Sequence, residues 1–354
     1  MNGDQAKLLQ EQVVSAAAEQ QTLDIQAGNT KRFLGRSPQG EPLDLTTHQG
    51  ILSYEPKELV ITARSGTPLH EIEAALAEKD QMLPFDPPHF GAHATLGGTI
   101  AAGLSGPRRP YTGSARDFVL GTRVLNGRGE ILRFGGEVMK NVAGYDVSRL
   151  MTGAMGTLGV ILDISLKVLP IPASEITLAI TSSAENALKQ FNAWSGKPIP
   201  LSAAVCDGER AYIRLSGATT SVEAARHAIG GDMVDDSHAF WRKKMLEHQH
   251  AFFQGSGDLW LISVPSSTPS DSFPDNCLID WGGALRWIRT DLQPQVVFQT
   301  AGELGGHATL FRGGERQGQV FQPLPKTTMD LHQRLKLAFD PQRIFNPGRM
   351  YAEL

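Results

Sequence analysis

The stretch ATLGGTIAAGLSGPRRPYTGSARDFVLG, residues 94–121, decides how this chain is read. Its opening sets glycine, alanine and threonine side by side. Backbone N–H groups in such turns form concave anion sites. Thr95 and Thr99 add hydroxyls, and a short helix beginning near Thr99 would turn its first amides towards a phosphate. The stretch lies in a wider glycine-rich region, because fifteen of the 37 glycines fall between Gly91 and Gly159. Glycine serves where backbone passes close to another group or takes φ > 0. The region therefore reads either as a cavity lined by backbone or as a set of tight turns. No G-x-G-x-x-G follows an N-terminal strand and no G-x-x-x-x-G-K-[ST] occurs, so a Rossmann site and a P-loop have no support.

Outward from this region the pattern is mixed. Residues 5–20 read as a helix, Leu23 to Ile25 as a strand ending at Ala27-Gly28-Asn29, and Leu59 to Ala63 as a buried strand. Thr67 and Pro68 open a helix over 68–79, as N-cap and first residue. Phe118 to Leu125 and Ile131 to Phe134 flank Asn126-Gly127-Arg128-Gly129 and predict a hairpin. Val160 to Val168 alternates as a half-buried strand, and Pro170 and Pro172 mark a boundary. Beyond it, strand 175–181, helix 184–194, strands 201–206 and 210–215 and helix 220–228 give an α+β pattern with a ferredoxin-like order. Helix 238–248, strand 258–264, a strand pair around 277–289, a strand near 306–311 and a last helix over 326–339 complete the chain. No internal repeat is evident at periods of 20–50 residues.

Composition narrows the function. The chain has 354 residues, 33 Lys+Arg against 37 Asp+Glu and a net charge of −4, which offers no electrostatic reason to bind nucleic acid. At about 150 residues per domain, two domains are expected. Two cysteines, Cys206 and Cys277, exclude a disulfide framework and a cluster ligated only by cysteine. There is no basic n-region with an apolar h-region and no apolar run of about 18 residues, so a cytoplasmic protein is expected, docked on a membrane at most through a partner.

Three ordered stretches carry a resemblance: residues 94–121, GGEVMKNVAGYDVSRLMTGAMGTLGVI (135–161) and FDPQRIFNPGRM (339–350). They resemble the FAD-linked oxidases of the vanillyl-alcohol-oxidase and p-cresol-methylhydroxylase type. The whole chain is most similar to the smaller FAD-binding subunit of bacterial glycolate oxidases. The resemblance implies an α+β chain: a p-cresol-methylhydroxylase-type FAD domain over 1–170, a ferredoxin-like α+β cap over 171–338, and a segment 339–354 returning to the flavin. It also implies partners, namely a larger FAD-binding subunit and an iron–sulfur subunit, with a small 2-hydroxy acid as substrate.

Site residues follow from the same resemblance. The turn that wraps the FAD pyrophosphate, R-G-G-G-T-K in the family, matches residues 26–31. Gly28, Thr30 and Lys31 fit it, whereas Gln26, Ala27 and Asn29 depart. No His lies in that turn, so FAD is expected to be non-covalent. Thr95, Gly97 and Gly98 form a second turn, continued by Gly103 and Ser105. Ser114, Arg116 and Asp117 match a T-x-R-D step, and Asn141, Gly144 and Tyr145 match K-N-V-x-G-Y-D. Gly156, Thr157, Leu158, Gly159 and Val160 match the turn that meets the flavin. Asp117 could equally cap a turn and Tyr145 sit in a core.

Oxidising a 2-hydroxy acid needs a cation for the carboxylate and a base for the hydroxyl proton. Related dehydrogenases often use a paired-His metal site in the second domain. Here His307 stands at that place without a second His at matching spacing. It is the candidate base or lone ligand, or else a hydrogen-bonded strand histidine. Arg349 replaces Lys of N-P-G-K and could hold an anionic substrate or the flavin edge, and Asn346 could bond near the ring or shape its turn. His89 and His93 form H-x-x-x-H in a Pro/Gly-rich loop and no metal is assigned to them. Arg108 and Arg109 read as solvated or facing a subunit.

Overall fold

The computed structural model describes residues 3–136, 145–273 and 277–354. The chain divides into two compact units. The first comprises 1–104, 114–170 and 323–354, and the second 105–113 and 171–322.

In the first unit, α1 (Ala6–Glu19) buries Ala6, Leu9, Val13 and Ala16 on one face. Leu8 and Val14 stay half exposed, since they fall off that stripe. Strand β1 (Leu23–Gln26) runs parallel to β2 (Glu41–Asp44). Strands β3 (Ile51–Glu55), β4 (Val60–Arg64), β5 (Val119–Leu125), β6 (Ile131–Gly135) and β7 (Val160–Lys167) form an antiparallel sheet of order β3-β4-β7-β5-β6. The β5–β6 hairpin closes on Asn126, whose Oδ1 accepts from the N–H groups of Arg128 and Glu130. Central β7 is buried along its length except Lys167, not half-buried. Its polar residues are paired rather than solvated. Asp163 meets Arg123 and the buried His48 ring, and Ser165 bonds Thr62. His48 in turn accepts the Gln5 N–H at Nδ1 and so pins the start of α1.

Helix α2 (Leu69–Ala77) begins after Pro68, which takes the N-cap position. Thr67 does not cap it, because its hydroxyl accepts from the Gly50 N–H instead. Helix α3 (Leu96–Ala102) starts three residues before Thr99, capped by the Thr95 hydroxyl and ended by Gly103 at φ +65°.

The second unit carries one eight-stranded antiparallel sheet. Its first half is β8 (Ser174–Thr181), α4 (Ala184–Ser195), β9 (Leu201–Cys206), β10 (Arg210–Gly217), α5 (Thr219–Ile229) and β11 (Asp232–Met233). Its second half is β12 (Asp258–Ser263), β13 (Cys277–Asp280), β14 (Leu285–Thr290), α6 (Pro294–Glu303) and β15 (His307–Arg312). The order β11-β8-β10-β9-β13-β14-β12-β15 places two ferredoxin-like halves side by side, joined through β9 and β13. Among the described residues, a short 3-10 turn, Ser270–Ser272, stands between β12 and β13 where the first half has α4. Helix α6 escapes the sequence reading because its Val-Val-Phe core resembles a strand, although Pro294 supplies a start signal. Residues 240–246, expected within a helix, form a π-helix.

Residues 105–113 are part of this second unit. Arg108 is buried and bonds Glu175 at 2.7 Å, and Arg109 lies 4.3 Å over the Trp281 ring, whose Nε1 donates to the Gly106 carbonyl. Arg108 is thus not the solvated or subunit-facing residue that the sequence suggests, whereas Arg109 stays exposed while its guanidinium covers the Trp281 ring. Burial pushes the Glu175 carboxyl up, but the Arg214 and Arg108 guanidiniums and the Ser216 hydroxyl outweigh it and hold it below its ordinary value of 4.5. A depressed carboxyl stabilises the fold above that value and loses the contribution as pH falls through its folded one. Glu175→Gln should therefore destabilise the protein at pH 7, and the gap from wild type should close as urea denaturation is repeated below pH 4.5.

Helix α7 (Lys326–Phe339) belongs to the first unit, so the return begins before 339. Its one fully buried residue is Lys336. The ammonium donates to Thr157 O (2.7 Å), Phe345 O (2.7 Å) and Asp340 Oδ2 (2.8 Å). A seam built on a lysine is invisible to a search for an apolar stripe. Removing one partner of a buried ion pair costs about 3–5 kcal/mol. Lys336→Met should lower stability by about that much in chemical denaturation, and a loss below about 1 kcal/mol would contradict the assignment.

Candidate functional site

Four segments of the first unit surround one cleft of about 870 Å³, its open mouth included. The turn after β1 supplies one wall. An added Cβ on Gly28 would lie 1.5 Å from the His93 carbonyl, so only glycine lets the two backbones approach. Asn29 takes φ 54°, a left-handed conformation that Asn tolerates, which explains its replacement of a family glycine. Among the described residues, the N–H groups of Ala27, Gly28, Asn29 and Thr30 donate to no protein acceptor. Four successive donors without a protein acceptor, in residues that line the cleft, supply what an anion-binding nest requires.

Ser65 and the start of α3 form the second wall. Gly97 packs so closely that a Cβ there would sit 2.5 Å from Ser65 Cβ. Ser65 Oγ is buried without a partner and lines the cleft. The first amides of α3 are already engaged, Leu96 by Thr67 O, Gly97 by Ser65 O and Gly98 by Thr95 Oγ1. The expected helix-terminus phosphate site is therefore not there, and the free donors lie in the earlier turn.

The loop 153–159 forms the third wall and is tied to α3, through Gly153 N–H to Ile100 O and Met155 N–H to Ala101 O. Gly156 takes φ +73°, and a Cβ there would lie 2.6 Å from Asn346 Nδ2. Asn346 closes the cleft from the C-terminal segment. Its Oδ1 accepts from the Ile25 N–H (2.8 Å) and its Nδ2 donates to Met155 O (2.7 Å).

Of the residues singled out by sequence, Gly28, Thr30, Lys31, Thr95, Gly97, Gly98, Gly156, Gly159, Asn346 and Arg349 line the cleft. The others are placed elsewhere. Gly103 is the C-cap of α3, and Ser105 belongs to the second unit. Asp117 accepts from the Ser114 N–H and hydroxyl, a local cap, and Arg116 donates to Thr152 O. Tyr145 is 97% exposed, neither core nor wall. Thr157 bonds Ala154 O, and Leu158 and Val160 are core. Asn141 and Gly144 lie outside the described residues. Sequence reasoning missed Asp24, Arg32, Ser65, Ala101 and Met155, of which only Arg32, in tandem with Lys31, carried any signal.

Arg349 is a brace rather than a free cation. Its guanidinium donates to the carbonyls of Arg36 and Arg32 and holds the 32–36 turn. His307 stands exposed at the first position of β15, in the second unit, and does not line the cleft. Desolvation by the surrounding protein and the Arg109 charge lower its pKa, so it is neutral at pH 7. The His89 ring bonds Glu73 at 3.0 Å.

Residues 5–135 match the FAD binding domain family. The chain is 49% identical to the glycolate oxidase subunit GlcE of Escherichia coli (strain K12), over 99% of both chains. It belongs to the glycolate oxidase GlcE branch of the FAD-linked oxidases. A D-lactate dehydrogenase of Anaerostipes hadrus is 36% identical over 40% of this chain and 29% of its own. The solved p-cresol methylhydroxylase shares the fold at TM-score 0.73, 16% identity, 97% of this chain and 87% of its own. As a GlcE-branch chain this is an FAD-dependent oxidoreductase.

The cleft fits that cofactor on its own chemistry. It offers unpaired N–H donors to an anionic diphosphate and an orphaned hydroxyl at Ser65. Asn346→Ala removes two bonds and leaves buried groups unpaired, so it should cost about 1–3 kcal/mol. The same variant should weaken FAD binding in a flavin fluorescence titration.

Proposed function

We propose that this chain is the FAD-holding subunit of a glycolate oxidase complex. It would oxidise glycolate or D-lactate to the 2-oxo acid and pass the electrons to a larger FAD-binding subunit and an iron–sulfur subunit. The observation that carries the reading is the row of unpaired N–H groups at Ala27 to Thr30, in a chain related to GlcE along its whole length. The nest would hold the pyrophosphate, Ser65 would donate to the cofactor, and Asn346 would keep the far wall in place. FAD would be held non-covalently. When bound, FAD accepts the two electrons released as the substrate's C–H and O–H bonds are converted to a carbonyl.

This chain's residues would position and desolvate the reacting groups. Holding a cofactor and a small acid in fixed geometry lowers the barrier by removing the entropy of encounter. Two cysteines, of which Cys206 is buried, provide no cluster, so electrons leaving the flavin would go to a partner or a diffusible acceptor. No helix of the described residues is long and apolar enough to cross a membrane. Contact with a membrane would come through partners, from a cytoplasmic location.

A second reading has one observation in its favour. The three cations lining the cleft are already engaged: Lys31 on His89 O, Arg32 on Asp24, and Arg349 on two carbonyls. A chain with its cleft cations so committed would carry FAD as an electron relay while a partner takes the substrate. The isolated chain separates the two. A flavin spectrum that bleaches on anaerobic glycolate supports catalysis here; a spectrum that persists, yet bleaches when partners are added, supports the relay.

Gly98 offers the test of the cleft itself. A Cβ there meets only Thr95 Oγ1, at 3.2 Å, so a larger side chain extends into the cleft. Gly98→Leu should lose FAD binding by at least about tenfold while the apo melting temperature stays within about 5 °C.

A further inference from the structure

We propose that Asp24 and Arg32 form a neutralised ion pair that makes the cleft wall fit for an anion. Arg32 would serve as counter-charge to Asp24 and not as a ligand of the phosphates. The inference rests on the placement of FAD in this cleft and adds to it the role of two residues outside the family's glycine-rich turn.

Asp24 lies on β1, is 4% exposed, and lines the same cleft as the free N–H groups. A lone carboxylate in that wall would repel a diphosphate, and burial weakens the screening between them. Its charge is met at once by Arg32, whose Nη2 lies 2.6 Å from Asp24 Oδ2. The same oxygen accepts from Gln26 Nε2 at 2.8 Å, and Gln26 Oε1 accepts from Asn29 Nδ2 at 3.0 Å. Arg32, Asp24, Gln26 and Asn29 thus make one side-chain chain across the turn that carries the nest. Its members include two of the departures from the glycine-rich pattern, Gln26 and Asn29. These side-chain bonds add to the backbone bond from Arg32 N–H to Asn29 O in holding the turn.

Backbone contacts keep Arg32 in this role. Its N–H donates to Asn29 O, and its carbonyl accepts from Arg349. The pair is therefore anchored from both the turn and the C-terminal segment. With Asp24 neutralised, the positive character of the wall comes from backbone N–H groups.

The test is a double-mutant cycle on FAD affinity, measured by flavin fluorescence with apo protein, with apo melting temperatures alongside. Arg32→Gln leaves the carboxylate facing the diphosphate and should weaken FAD binding about tenfold or more. Asp24→Asn with Arg32→Gln removes both charges, keeps an acceptor for Gln26, and should return affinity to within about threefold of wild type. A double variant as weak as Arg32→Gln would overturn the proposal and make Arg32 a direct ligand. Wild-type affinity in Arg32→Gln would also overturn it. Unchanged FAD affinity in Gly98→Leu, with the apo fold intact, would instead remove the placement of FAD and the proposal with it.

Discussion

A buried ammonium ties the C-terminal segment to the rest of the first unit. Lys336 sits at the end of α7 with its charge surrounded by two carbonyls and the Asp340 carboxylate. Burial lowers its pKa, while Asp340 works in the other direction. Such a group is costly to remove from water, so it is tolerated only where every donor finds a partner. Asp340 does not serve the lysine alone. Its carboxylate also accepts the N–H groups of Ile344 and Phe345 and shapes the chain into its return towards β1.

The cleft depends on that return. Once Ile344 to Asn346 lie along β1, Asn346 reaches both the Ile25 amide and the Met155 carbonyl, which come from two separate walls. Arg349 then braces the 32–36 turn. The nest of free amides is therefore positioned by residues more than 300 places away in the chain. Glycine acts here as a spacing device. Gly28, Gly97 and Gly156 each stand where a Cβ would overlap another segment.

Much of this was legible. The 94–121 stretch, the 26–31 turn, the 156–160 turn and the C-terminal Asn-Pro-Gly-Arg each read as parts of one site, and ten of the residues singled out in them line the cleft. What failed did so for physical reasons. Gly103 and Asp117 have the composition of ligand-binding turns, but caps and tight turns demand the same residue types. Arg108 reads as a surface charge because a sequence does not show Glu175 beside it. The half-buried reading of β7 failed because Asp163 and Ser165 look solvent-facing until their partners are seen.

By itself, the sequence determined the fold class, the flavin-domain texture and the family, because those rest on local period, turn chemistry and ordered motifs. It also determined that no cluster ligated by cysteine alone is carried here, since two cysteines are too few. Only the tertiary structure decided which amides remain unpaired, that α7 belongs with the flavin domain, and that the second unit is a doubled ferredoxin-like sheet. Hydrogen-bond vacancy is a property of the whole environment of a group. A donor is free only when every segment folded against it has declined to accept, and no local stretch of sequence contains that information.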